Sequence, residues 1–228
     1  MKKVLALLLA VLMLASIGCA WAEGTAEEPV EEPVGITFQD IPWGSSREDV
    51  LAWLIQTGVV ASEKSCYLGN GYDFTLLGNN GDWLMYQDRK PYKDVMKQLI
   101  PQEINVEFQI AGYSIKEMAF GFAYDGNTTK LIAVWFYPVY ENDEAGREAI
   151  FADLQSKLRI VYGDGDIDDG ERYLKLGENN TAVELRLRGM GYTELVYGVT
   201  NTLEILAECD SLAGEESITV DSTDTNGL

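Results

Sequence analysis

The sequence predicts an α+β domain: helices packed on one face of a mostly antiparallel β-sheet, in an order compatible with two similar lobes. Three observations carry this. Apolar residues recur at helical spacing in two separated segments, the second of them long. Most other apolar positions alternate with polar ones, which is the period of a sheet with one wet face. Finally, the order is a helix, several strands, a long helix and three more strands, without the strand-helix-strand repetition of a parallel sheet.

The first helix is expected to start at Ser45, with Ser45 and Glu48 as a capping box, Val50, Trp53 and Leu54 as its apolar face and Gly58 as its stop. Weaker strands are expected at Tyr72 to Leu77 and Trp83 to Gln87. Ile104, Val106, Phe108 and Ile110 alternate with Asn105, Glu107 and Gln109 and read as a half-buried strand. Met118, Phe120, Phe122 and Tyr124 alternate as well, but Tyr113 and Ile115 are on the opposite phase, which predicts a bulge near Lys116 and Glu117. Asp125-Gly126-Asn127 is a turn, and Leu131 to Tyr137, apolar on both phases, is a central strand covered by the long helix. That helix is expected from about Asp143 to Tyr162, with acids in its first turn, Phe151, Leu154, Leu158 and Val161 on its buried face, and Gly163 after it. A strand at Arg172 to Leu176 precedes a hairpin in which Val183, Leu185 and Leu187 alternate with polar residues and Leu195, Tyr197 and Val199 follow after a Gly189 to Gly191 turn. Trp53 and Trp135 are assigned to the core, and Trp43 to sealing the first helix against the sheet.

Residues 1–22 form a leader: Lys2 and Lys3, an apolar run from Val4 to Ile17, and Ala20-Trp21-Ala22 before Glu23. The run is too short to span a bilayer comfortably, so the segment reads as a secretory signal peptide and the protein as exported, secreted or extracytoplasmic. Cys19 offers a lipid-anchored alternative, although Ser16 stands where a lipobox usually has leucine. Residues 23–35 are an acidic, disordered spacer, residues 36–212 a single α+β domain, and residues 213–228 a flexible acidic tail.

Charge and composition then remove whole classes of function. Without the two leader lysines, 15 basic residues face 37 acidic ones, so nucleic acid and anionic membranes are repelled. The chain has no histidine, which excludes Ser-His-Asp and Cys-His catalysis and imidazole-held metals. Gly-x-Ser-x-Gly, phosphate-cradling glycine loops and dinucleotide fingerprints are missing too. No catalytic residue is assigned.

Three sets of candidate residues remain. Tyr67, Tyr72, Trp83, Tyr86 and Tyr92 crowd one Gly- and Asn-rich region and suit a sugar-stacking or protein-docking surface, or simple strand packing. Asp164, Asp166 and Asp168 match the first, third and fifth positions of an EF-hand loop, so a Ca2+ site is a candidate; Asp169 and Lys175 break the pattern where glycine and glutamate belong, and a solvated acidic turn is the plain reading. Cys66 and Cys209, the only cysteines after the leader, are either a disulfide or two buried free thiols. Acid-aromatic neighbours, Asp82 with Trp83 and Asp73 with Tyr72, keep a carboxylate-based glycan hydrolase open.

The stretch from Phe38 to Val50, Phe-Gln-Asp-Ile-Pro-Trp-Gly-Ser-Ser-Arg-Glu-Asp-Val, resembles the opening of small exported bacterial domains of the β-lactamase-inhibitor-like and outer-membrane-assembly lipoprotein group. The resemblance implies helices on an antiparallel sheet and a role in binding other proteins; it assigns structural positions to Gly44 and Val50 and transfers no binding residue. The expected function is therefore a non-enzymatic exported module that binds a protein or cell-envelope ligand, with a glycan hydrolase or a calcium-binding structural domain as alternatives.

Overall fold

The computed structural model describes residues 35–70, 73–77, 83–87, 94–139, 144–168, 172–188 and 192–216. The leader, the acidic spacer and the last twelve residues therefore lie outside the described residues, Cys19 with them.

Helix α1 (Arg47–Gln56) leads into a 3-10 turn at Glu63–Ser65 and strands β1 (Cys66–Asn70), β2 (Asp73–Leu77), β3 (Trp83–Gln87), β4 (Met96–Pro101), β5 (Gln109–Ile110), β6 (Tyr113–Tyr124) and β7 (Thr129–Pro138). Helix α2 (Glu144–Tyr162) then precedes β8 (Asp166–Asp168), β9 (Arg172–Leu176), β10 (Thr181–Arg188) and β11 (Tyr192–Val199), and α3 (Thr202–Glu216) follows. The main sheet runs β1-β4-β6-β7-β11-β10-β9-β8, with β5 paired to β6 and every pair antiparallel; β2 and β3 make a separate hairpin. The fold is thus α+β and mostly sheet. Two similar halves are visible in the topology: a helix followed by four strands that run from an outer edge inward, α1 with β1, β4, β6 and β7, and α2 with β8 to β11. They meet where β7 pairs with β11.

Two apolar layers hold the sheet. On one face Val50 and Leu54 of α1 and Phe151, Leu154 and Leu158 of α2 pack on Phe120, Phe122, Phe136, Val183, Leu185 and Leu195. Phe38 sits among these rings, within 5.4–6.2 Å of Tyr197, Phe136, Trp53 and Phe120, at tilted or edge-to-face angles that favour aromatic pairs. On the other face Leu206 and Cys209 of α3 pack on Ala119, Ala123, Ala133 and Val199. The helices thus occupy both faces, two on one and the third on the other.

The expected elements are confirmed with shifted ends. Ser46, not Ser45, caps α1: its Oγ accepts from the Asp49 amide and Asp49 accepts from the Ser46 amide in return, so the box partner is Asp49 rather than Glu48. Ser45 instead donates to Pro42 O. Gly44 and Gly58 take left-handed φ (+84° and +73°), and Val50 is fully buried. The bulge is found between Ile115 and Glu117, and the hairpin pairs Val183 with Tyr197 and Leu185 with Leu195.

Several expectations fail. Of the strand expected at residues 104–110 only Gln109–Ile110 forms; Phe108 turns back on Asn105, and Val106 is 79% exposed. Tyr113 continues from β5 through Ala111 and Gly112, both at positive φ, the backbone of a two-residue hairpin turn. Val161 is 69% exposed, because the buried face of α2 runs on from Phe151, Leu154 and Leu158 to Tyr162, whose ring lies 6.5 Å from that of Tyr197. The long helix lies over β10 and β11, and α1, not α2, meets β7. Strands β1 and β4 and helix α3 were not expected; residues 213–216 of the expected tail are the last turn of α3.

Candidate functional site

Backbone pairing places a concavity at a corner of the sheet. Leu131 N donates to Ser45 O and Gly44 N to Leu131 O, both at 2.9 Å, and the Arg47 amide donates to Thr129 Oγ1 at 3.0 Å. These bonds clip the start of α1 to the start of β7. Pairing of Asn70 with Lys97, and of Lys97 with Phe122, brings β1 and β4 alongside. The space left between them is a cavity of about 360 Å³.

One wall is the start of α1, with Arg47 and Glu48; a second is the sheet, with Leu68, Lys97 and Tyr124; the rim is the turn that carries Asn127 and Thr128. That rim is fixed by Asp125, which accepts from the Asn127 amide (3.0 Å), the Thr128 amide (2.8 Å) and Thr128 Oγ1 (2.8 Å). The same bonds, that from Thr128 foremost, hold the Asp125 carboxyl below its ordinary pKa. Tyr124 donates its hydroxyl to Gly126 O, which pins its ring, and Lys97 Nζ lies 5.0 Å from that ring's centre. Arg47 Nη2 is 2.9 Å from Glu48 Oε1. With its first amides engaged by Ser46 and Thr129, the helix end is already satisfied; the cationic character of the cavity comes from the Arg47 and Lys97 side chains. The lining thus combines an apolar wall, two cations, the Glu48 carboxylate and amide and hydroxyl groups. It pairs no nucleophile with a base.

Strand β1 borders this cavity and ends the sheet. Tyr67 and Leu68, 57% and 39% exposed, occupy successive positions and so point to opposite faces. The Tyr67 ring lies over Gly69, where a Cβ would run into it, so this glycine lets the ring rest on the strand. Of the aromatic candidates Tyr67 alone has a described side chain. Trp83 and Tyr86 lie on β3, whose backbone alone is described, and Tyr72 and Tyr92 lie outside the described residues, as does Asp82.

The acidic loop is not a loop throughout: Asp166–Asp168 form β8, paired with β9, while Asp164 is exposed and its carbonyl accepts from Lys175 Nζ at 3.0 Å. The side chains of Asp166 and Asp168 lie outside the description, and among the described residues no three acidic or thiol groups converge to hold a metal. Cys66 and Cys209 are free thiols, which corrects the disulfide candidate: Cys66 packs with the α1 and α2 layer, Cys209 with the α3 layer on the other face. Burial pushes both thiols above their ordinary pKa.

Two polar clusters were not expected. Glu184, fully buried on β10, accepts from Arg172 Nε at 2.7 Å and from Arg186 Nε, while its Oε2 has no hydrogen-bond partner. Burial outweighs both guanidiniums and lifts its carboxyl to about 7. In the second, Asp153 accepts from the Tyr113 hydroxyl at 2.7 Å and pairs with Lys157, which also donates to Ala111 O at 2.8 Å, tying α2 to the β5–β6 turn. Burial and the neighbouring carboxylate push Tyr113 up to about 12, and the bonds from Lys157 and Tyr113 hold Asp153 low. The first cluster joins β9 to β10 and the second α2 to the sheet, and both read as parts of the scaffold.

The geometry defines an α+β sheet protein with a corner cavity lined by Arg47, Glu48 and Lys97 beside β1, the last strand of the sheet among the described residues. The chain matches no family model, no curated protein and no solved structure. Among the described residues no helix is long and apolar enough to cross a membrane.

Proposed function

We propose that the protein is an exported, non-enzymatic binding module whose ligand, a protein or another cell-envelope component, is held at the cavity between α1, β1 and β4. One observation carries the reading: a preformed cavity with Arg47 and Lys97 in its walls opens beside exposed Tyr67 and Leu68. Arg47 and Lys97 at one concavity can receive an anionic ligand group in exchange for the partners they hold now, Glu48 on Arg47 among them. The absence of histidine and of nucleophile motifs removes the common catalytic alternatives, and the likeness of residues 38–50 to exported protein-binding domains points the same way.

The test uses the mature chain against a random-peptide display library and a glycan array. Binders should be recovered whose affinity falls at least tenfold in Lys97→Ala and in Leu68→Ala, with melting curves unchanged. Binders that tolerate both substitutions would move the site elsewhere. Turnover of a chromogenic sugar panel would replace the reading with the hydrolase.

A further inference from the structure

We infer that the site takes an extended, acidic peptide segment, which adds to the outer edge of β1 as an extra strand and sends a carboxylate into the cavity. This rests on the cavity being the binding site and names what occupies it.

The two ends of the sheet differ. Exposed strand edges template pairing with other chains, and proteins blunt them with short strands and charge. β8, at one end, is three residues long and reads Asp-Ile-Asp. β1, at the other, is five residues long and reads Cys-Tyr-Leu-Gly-Asn, with neither charge nor proline. Among the described residues no strand pairs with its outer side; the β2–β3 hairpin that follows makes its own sheet and approaches β11. An open edge of this kind offers main-chain hydrogen bonds to any extended segment, which is how strand addition gains affinity without reading sequence.

Side chains supply the selection. Leu68 lines the cavity on the α1 face, and Tyr67, with its ring over Gly69, is exposed on the opposite face. A peptide strand laid beside β1 sends alternate side chains to those two faces. Residues on the first face meet Leu68 and the cavity walls with Arg47 and Lys97, so a glutamate or aspartate there can exchange with the partners those cations hold now, Glu48 on Arg47 among them. Residues on the second meet the Tyr67 ring, which favours an apolar or β-branched side chain. Glu48 opposes an incoming carboxylate, and its ion pair with Arg47 is solvent-exposed on the glutamate side, so that exchange is cheap.

The probe is a nine-residue, end-capped peptide of alternating threonine and valine with one central glutamate, labelled for fluorescence anisotropy against the mature protein. Replacing the glutamate by lysine should weaken binding at least tenfold, and Lys97→Glu in the protein should do the same. Two further peptides carry N-methyl groups on alternate amides, one set on each edge of the strand. Only one edge can pair with β1, so one peptide should lose binding and the other keep it. Both N-methylated peptides binding like the parent, with Lys97→Glu still harmful, would overturn strand addition and leave the cavity as the site. Equal binding of the lysine peptide would overturn the acidic preference. No peptide binding at any charge would overturn the inference, and library binders indifferent to Lys97 and Leu68 would take the proposed site with it. A concentration-dependent dimer in sedimentation, abolished by Leu68→Asp, would assign the edge to a second copy of the chain instead. The peptide-side changes cannot perturb the protein's fold, so they decide the matter even if a variant is unstable.

Discussion

In one half of the sheet β6 presents Ala119 at the place where, in the other half, β10 presents Glu184: the row Glu184-Val196-Trp135-Ala119 crosses four strands, and its midpoint falls where β11 meets β7. The two halves repeat a helix-then-strands order and finish the second face of the sheet differently. In the first half alanines at 119, 123 and 133 leave room for α3, and Leu206 and Cys209 come down on them. In the second half a buried carboxylate is bracketed by Arg172 and Arg186. One half is closed by packing, the other by charge, and packing and charge respond differently to substitution, pH and salt.

The largest effect is expected where charge is buried. Removing the carboxylate in Glu184→Ala leaves two guanidiniums facing each other across β9 and β10, where Arg172 pairs with Arg186, and should cost about 3 kcal/mol of unfolding free energy. Urea melts of both chains measure this; a loss below about 1 kcal/mol would mean that the arginines are solvated without their partner. In the packed half, Ala119→Leu should push α3 off its seat and cost about 1–3 kcal/mol. A change of that size confined to the first half would show near-UV circular dichroism altered at Trp135, which packs on the same layer.

pH separates the halves more finely. The Glu184 carboxyl is raised from its ordinary 4.5 to about 7 in the folded chain, so the folded state holds this proton more tightly than the unfolded one. That contribution is fully present below about pH 4.5 and is lost as pH rises through 7. The melting temperature should therefore decline between pH 5 and 7.5, and Glu184→Gln, which cannot titrate, should flatten the decline. Asp125 and Asp153, held low by their hydrogen bonds, act in the opposite sense and only towards more acidic pH. A slope unchanged by Glu184→Gln would assign the effect to another group.

How much of this the sequence reveals depends on the range of the interactions. The α2 face, the bulge after Ile115 and the β10–β11 hairpin are local patterns, written in spacings of two to four residues. The segment 104–108 alternates correctly and still turns, because Asn105 Oδ1 accepts from the Glu107 amide and closes the backbone on itself. α3 hides its periodicity among small and acidic residues, since the surface it covers is made of alanines. The cavity is the least legible part. Arg47, Lys97 and Thr128 are spread over more than 80 positions and converge only through β4–β6 pairing and the bonds that clip α1 to β7. The turn residues Asp125-Gly126-Asn127 were the one local signal there, and they foretell a rim without saying what it encloses. Edge exposure is likewise a property of strand order, which alternation within a strand does not contain.

The smallest effect on stability should accompany the clearest effect on behaviour. Leu68→Asp gives β1 the kind of acidic residue that β8 carries at the equivalent edge. Leu68 is partly exposed and among the described residues its strand pairs on one side only, so the loss should stay near the ~1 kcal/mol range of strand preference. The new carboxylate would stand at the cavity beside Lys97 and repel an acidic peptide, and binding of the glutamate probe should fall at least tenfold while the urea midpoint barely moves. The reverse change at the guarded end, Asp166→Thr with Asp168→Thr, should leave probe binding at β1 untouched and make the protein more prone to associate through β8. If both variants behaved like the parent, the contrast between the two edges would carry no function. If only the β8 variant changed behaviour, guarding against aggregation would be the role of the acidic edge, and β1 would need no ligand to explain it.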